Sequence, residues 1–325
     1  MDRRTFLALA SGAAAWPAPA SAQGARKLPR IGIAAFPPLS ALKPFIAAFE
    51  KGLREEGLIP GRDVVFDFRS ANLNPARYAE VVRELVRSKP DVIVTGVNAN
   101  TAAVKAETRT IPIVMTVGVD SVAMGFVESL ARPGGNITGL TYDVGPESTS
   151  KRFELFKRAV PSITRVAVLS DGDTEGQSRY VDWIESAARS AGLEPLRRDL
   201  GDDFEESFLG AKRWRADAVL FYSGARQLAR RTELVAATLR HRLPSNFPQA
   251  DFVEAGGLMS YGANIPDSYR RAAGYVSRIL KGEKPANLPI QQPVVLDLAV
   301  NLKTAKALGL TIPREVLLRA DRVIE

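Results

Sequence analysis

The chain has no cysteine and a single histidine in 325 residues. Without thiols there can be no thiolate nucleophile, no thiolate metal site and no disulfide, so stability has to come from the core alone. One histidine, His241, cannot build a His-rich zinc site, and any serine triad would have to run through it. Its neighbours Arg240 and Arg242 disfavour metal and proton alike, and it reads as a surface helix residue. Long apolar runs are also missing; the longest near the start, Phe6 to Ala15, is too short to span a bilayer. The net charge is +8, yet no block of five or more basic residues occurs. The densest basic stretch, Arg226, Arg230, Arg231, Arg240 and Arg242, falls on one expected helix and its end. It reads as a solvated face rather than a nucleic-acid or membrane footprint. Phosphate-cradling and hydrolase signatures are absent too. There is no G-x-x-x-x-G-K-[ST], no G-x-G-x-x-G after the first strand, no G-x-S-x-G and no H-E-x-x-H.

What is present begins with Arg3-Arg4-Thr5-Phe6-Leu7, a twin-arginine pair ahead of a short apolar core, followed by the small-residue site Ala20-Ser21-Ala22. This predicts a twin-arginine-like signal peptide over residues 1–22, cleaved near Ala22, and a working protein in the periplasm. That location excludes most functions that need ATP, NADH or nucleic acid.

Downstream, strand and helix signals alternate. Ile31–Ala34, Val64–Phe68, Val92–Thr95 and Ile113–Met115 read as short apolar strands. The helices between them cover Phe45 to Leu53, a segment after the N-cap pair Asn74-Pro75, and Thr101 to Glu107. Val122 to Leu130 reads as a further helix, closed by Arg132-Pro133-Gly134-Gly135-Asn136, and Ile137–Tyr142 as an interdomain crossing. The rhythm then restarts. Helices are expected around Phe153–Val160, at Tyr180–Ala191, Phe204–Trp214 and Arg226–Arg240, with strands at Val166–Leu169, near Pro195 and at Ala218–Phe221. Asp202 and Asp203 suit the start of a helix, where anions are favoured, better than they suit acid chemistry. The fold class predicted is α/β, with two doubly wound, parallel-sheet, Rossmann-like domains.

Open parallel sheets bind ligands beyond the carboxyl ends of their strands, and two such domains facing one another share a cleft. The residues at those ends are small and polar: Thr95-Gly96-Val97-Asn98, Thr116-Val117-Gly118, Ser170-Asp171-Gly172 and Tyr222-Ser223-Gly224. Hydroxyls, backbone N–H groups and helix N-termini there could hold a carboxylate; taken singly, each position could equally be a turn.

The ordered segments Gly52-Leu53-Arg54-Glu55-Glu56-Gly57, Pro90-Asp91-Val92-Ile93-Val94 and Ser129 to Gly139 resemble the bacterial ABC-transporter substrate-binding proteins that include the tryptophan-binding type. Phe252 to Gly262, Tyr269-Arg270-Arg271-Ala272-Ala273, Ile279-Leu280-Lys281-Gly282 and Asn301 to Leu310 extend that resemblance over nearly the whole chain. It implies a type I periplasmic-binding architecture with several hinge crossings. Residues 28–140 plus 262–297 would form the N-terminal lobe, and 141–261 plus 298–325 the C-terminal lobe. It also implies a helix from Pro266 to Leu280, a strand from Val294 to Leu298 and a terminal helix.

Functionally, the resemblance implies a monomeric, non-catalytic protein that closes over a small molecule and hands it to an inner-membrane ABC permease, with no cofactor and no metal. The candidate ligand contacts are Thr95, Asn98, Thr116 and Gly118 from the first lobe, and Ser170, Asp171, Tyr222 and Ser223 from the second. Asp171 is assigned a ligand ammonium group. Departures from the family pattern fall at Asn98-Ala99, Val119-Asp120-Ser121-Val122 and Tyr222-Ser223, all strand-end positions that set ligand choice. Phe36, Tyr142, Tyr222 and Phe247 would allow stacking on a flat or apolar ligand, or simply pack. A sensor that docks on a receptor and an enzyme using carboxylates in the cleft are the rival readings.

Overall fold

A computed structural model describes residues 27–142, 145–170, 175–201, 203–221 and 225–325. The expected signal peptide and the candidate residues Asp171, Tyr222 and Ser223 lie outside the described residues.

The first lobe is built from β1 (Arg30–Ala35), α1 (Lys43–Glu55), β2 (Val65–Ser70), α2 (Pro75–Arg87), β3 (Val92–Thr95), α3 (Asn98–Glu107), β4 (Ile113–Gly118) and β5 (Ile137–Thr141). These strands form one sheet in the order β2-β1-β3-β4-β5, parallel throughout. The central strands β3 and β4 are buried along their whole length, as expected where helices cover both faces. Asn74 caps α2 by accepting from the Arg77 N–H, and Pro75 occupies the first turn, where its missing N–H costs nothing.

The helix expected over Val122–Leu130 is not formed. The segment is a series of turns in which Asp120 (φ 45°) and Gly125 (φ 62°) adopt left-handed backbone and Ser129 brackets Arg132. Its apolar residues Phe126 and Val127 are buried without helical periodicity. Ile137–Tyr142, read as a crossing, is mostly β5 itself, the edge strand of this sheet.

The second lobe follows as α4 (Gly145–Ala159), β6 (Arg165–Ser170), α5 (Glu175–Ser190), β7 (Glu194–Asp199), α6 (Phe204–Arg213), β8 (Ala218–Phe221), α7 (Ala225–Ala229), α8 (Arg231–Arg240), β9 (Ser245–Phe247), α9 (Ala250–Glu254) and β10 (Met259–Ala263). The single helix expected over Arg226–Arg240 is broken at Arg230 into α7 and α8. The chain then returns to the first lobe as α10 (Ile265–Leu280), capped by Asn264 accepting from Asp267 N–H, before β11 (Leu296–Asn301), α11 (Leu302–Leu308), α12 (Arg314–Leu317) and β12 (Arg322–Ile324).

The second sheet runs β12-β11-β10-β9-β8-β6-β7. Its β10–β11 pairing is antiparallel, because β11 comes back from the other lobe instead of through a βαβ crossover. α10 packs on α1 and against β4 and β5. The returning segment runs along the outer edge of β5: Thr138 Oγ1 donates to Leu288 O at 2.6 Å, Gln291 N to Gly139 O at 3.0 Å and Thr141 N to Gln291 O at 2.9 Å.

His241 is not a free surface residue. It caps the end of α8, stacks on Phe208 (centroids 5.3 Å apart) and lies 2.7 Å from Glu205 Oε1. Around it the basic stretch is paired, Arg240 with Glu205 and Arg230 with Glu233, as a solvated face would be.

Candidate functional site

A cavity of about 70 Å³ opens at the carboxyl ends of the first sheet, between the lobes. Ala34, Ala35 and Phe36 leave β1 into it, Gly96 and Val97 leave β3, and Val117 faces it from β4. Phe45 and Ile46 of α1 and Ile265 and Tyr269 of α10 form one side. Leu228 of α7 and Gln249, just ahead of α9, reach it from the second lobe. The topology explains the placement, since parallel strands end together and leave a crevice beyond their last residues.

The wall is apolar and aromatic, and none of its described side chains carries a charge. Tyr269 stacks on Phe45 with centroids 5.4 Å apart, and Phe36 meets Tyr78 edge-on at 5.7 Å. Burial pushes the Tyr78 phenol up to about 12 and also raises that of Tyr269, so both are neutral donors at physiological pH. Asn100, Gln249 and the Tyr269 hydroxyl are the polar groups on this wall.

The first-lobe candidates named from sequence gather at this strand end and brace it. Thr95 Oγ1 and Thr101 Oγ1 are 2.8 Å apart, and Thr116 Oγ1 donates to Thr95 O at 3.0 Å; both Thr95 and Thr116 are buried. The Asn98 side chain clasps Val119, donating from Nδ2 to its carbonyl (2.6 Å) and accepting its N–H at Oδ1 (2.8 Å). The Gly118 carbonyl accepts from Thr141 Oγ1 at 2.6 Å and from Tyr142 N at 2.5 Å. The cavity surface itself is made by their neighbours Gly96, Val97, Asn100 and Val117. Ser170 is buried at the end of β6, and its carbonyl accepts from Leu200 N.

Among the stacking candidates, Phe36 lines the cavity, whereas Phe247 is sandwiched in the second-lobe core between Phe221 and Phe252. Tyr142 is buried, with its hydroxyl donating to Pro248 O at 3.2 Å. Sequence reasoning missed Tyr78, Asn100, Tyr269, Leu228 and Gln249. Asn100 sits two residues beyond the candidate Asn98, and Tyr78 lies on α2, away from the strand ends that the sequence argument follows. Among the described residues no group of three or more His, Asp or Glu side chains could hold a metal, and no helix is long and apolar enough to cross a membrane.

Two α/β lobes joined by crossing strands, with an apolar cavity shared between them, define a two-lobe binding protein of the type I periplasmic-binding fold. Residues 30–324 match the family model for ABC transporter substrate binding proteins, and the chain belongs to that family. It is 22% identical over 286 residues to a tyrosine-binding protein of Clostridioides difficile (strain R20291), covering 88% of this chain and 82% of that relative. Among solved structures, it resembles the ABC domain from Streptococcus pneumonia in complex with L-Trp, at a TM-score of 0.84 and 24% identity, covering 91% of this chain and all of the other. A ligand-free, open substrate binding protein with adhesive properties from Clostridium difficile overlays less closely, at a TM-score of 0.66 and 22% identity, with 91% of this chain and 99% of that one covered.

Proposed function

We propose that this protein is the periplasmic component of an ABC importer, and that it binds an aromatic amino acid in the interlobe cavity and delivers it unchanged to an inner-membrane permease. The observation that carries this reading is the uncharged aromatic and aliphatic wall formed by Phe36, Phe45, Ile265 and Tyr269, closed from the other lobe by Leu228 and Gln249. An apolar ring fits such a wall, whose described side chains offer no charged partner to the ligand's polar head. Relatives whose names specify tyrosine and tryptophan support the same ligand class. In this reading Asp171, with Tyr222 and Ser223, receives the polar head, and Asp171 takes the ammonium group. The twin-arginine-like segment 1–22 directs export, and the mature protein acts as a monomer without catalysis.

Closure is driven by differential contact: a ligand that touches both lobes at once stabilises the closed form alone. A thermal-shift screen of amino acids, aromatic acids and short carboxylates tests the reading. A ligand at 100 times its dissociation constant adds about 2.7 kcal/mol, a readily visible shift in Tm. Stabilisation by an aromatic amino acid, lost or greatly weakened in Asp171→Ala, is the expected result. Chemical conversion of the ligand, or a response confined to non-aromatic compounds, overturns it.

A further inference from the structure

Asn100, on the cavity wall, is paired with the Tyr78 hydroxyl. Asn100 is more than nine-tenths buried, at 7% exposure. Its Nδ2 and the Tyr78 hydroxyl are 2.5 Å apart, and that hydroxyl is 3.3 Å from Ala34 O.

The direction of these bonds follows from counting protons. A carbonyl oxygen can only accept, so the single phenolic proton of Tyr78 goes to Ala34 O. The phenol oxygen must then accept, and the only Asn100 group able to donate to it is the amide nitrogen. The amide is thereby fixed with Oδ1 turned away from Tyr78. That oxygen lies 3.4 Å from the point that a side chain on Gly96 would occupy, over the bare backbone of another wall residue. The Tyr269 hydroxyl lies 3.3 Å from the same point.

We infer that Asn100 Oδ1, fixed by Tyr78, is a specificity element that accepts a hydrogen bond from an O–H or N–H on the ligand's ring, selecting phenol- or indole-bearing ligands over a plain phenyl ring. This rests on the aromatic-ligand reading above. Asn100 is the contact, and Tyr78 is a positioning residue. A phenyl ring entering the same cavity would strip water from the amide oxygen without replacing the bond, and sites built to bond a polar group discriminate sharply for that reason.

The test is calorimetric titration of the full mature protein with L-tyrosine, L-tryptophan and L-phenylalanine, for wild type, Asn100→Leu and Tyr78→Phe, with Tm measured for each. Wild type is expected to bind at least one of tyrosine and tryptophan about tenfold or more tighter than phenylalanine. In Asn100→Leu that ratio falls to within about twofold, while phenylalanine affinity holds or improves. Tyr78→Phe frees the amide to rotate and lowers the ratio at least about threefold, with phenylalanine affinity little changed, a pattern that general loosening of the fold does not produce. Should Asn100→Leu fail to fold, the Tyr78→Phe ratio decides. Equal binding of all three amino acids by wild type, or a ratio that survives both substitutions, overturns this inference and leaves the aromatic-ligand reading standing. Failure of wild type to bind any of the three overturns both.

Discussion

At the scale of single residues, the junctions between the lobes hold the most informative electrostatics. Asp297, at the start of β11, accepts from Asn264 Nδ2 at 2.6 Å. Burial raises its carboxyl above the ordinary range, and the charges of Asp321 and Asp267 raise it further, against the opposing pull of Asn264. A carboxyl raised in the folded state favours folding in its protonated form. Its stabilising contribution is therefore complete below the unfolded value of about 3.9 and is lost as pH rises through the folded value. At neutral pH the ionised group is a cost. Asp297→Asn keeps an acceptor for Asn264 and cannot ionise, so it should melt higher than wild type at pH 7, with the gap closing as pH falls towards 4. Solvent screening keeps the effect small, about 0.5 kcal/mol or one to two degrees in Tm. Melting curves of both proteins across that window check it, and a gap independent of pH would remove the charge from the explanation.

At the scale of elements, the contact between α1 and α10 joins segments far apart in sequence and builds one side of the cavity. Gly52 makes it possible: a Cβ there would run into the Arg270 carbonyl and approach Ala273 Cβ at 2.9 Å. Backbone cannot yield cheaply, so Gly52→Ala should force the helices apart. We expect a loss of about 1–3 kcal/mol in denaturant unfolding, together with weaker ligand binding because Tyr269 rides on α10. Gly135→Ala, where nothing lies within 4 Å, is the control and should stay within about 0.5 kcal/mol.

The same helix pair shows what was legible in the sequence. The stripe Phe45, Phe49, Gly52, Leu53 fixed α1, and apolar runs such as Val92–Thr95 fixed the strands, because burial on one or both faces leaves a periodic trace. The pairing of α10 with α1 leaves none, and its placement came only through the resemblance of Tyr269-Arg270-Arg271-Ala272-Ala273. The segment Val122–Leu130 misled because its apolar residues are buried from turns, which have no period. At the cavity, strand-end logic leads to residues such as Asn98 and Thr116, whose polar groups bond neighbouring backbone beside the wall. Wall groups on helices, Asn100 and Tyr269 among them, depend on how helices sit over the strand ends, and local pattern does not encode that.

At the scale of the whole molecule, Tyr142, Pro248 and Gly262 meet where the chain passes between the lobes. The Tyr142 hydroxyl donates to Pro248 O, and a Cβ on Gly262 would press into that same carbonyl and come within 2.7 Å of the Tyr142 oxygen. Pro248 immediately precedes Gln249, which reaches the cavity from the second lobe, so a change in this contact is positioned to act on how that lobe meets the first. A residue that acts on how the lobes meet behaves differently from one that touches the ligand. If Tyr142 stabilises the closed form, removing its hydroxyl lowers the closed population, and every ligand's apparent affinity falls by the same factor. Loss of one buried hydrogen bond gives Tyr142→Phe a factor of up to about ten. Titration of wild type and Tyr142→Phe with two ligands of different size should return equal ratios, and X-ray scattering should show saturating ligand contracting both proteins to the same radius of gyration. Unequal ratios would make Tyr142 a ligand contact and take closure control away from this junction.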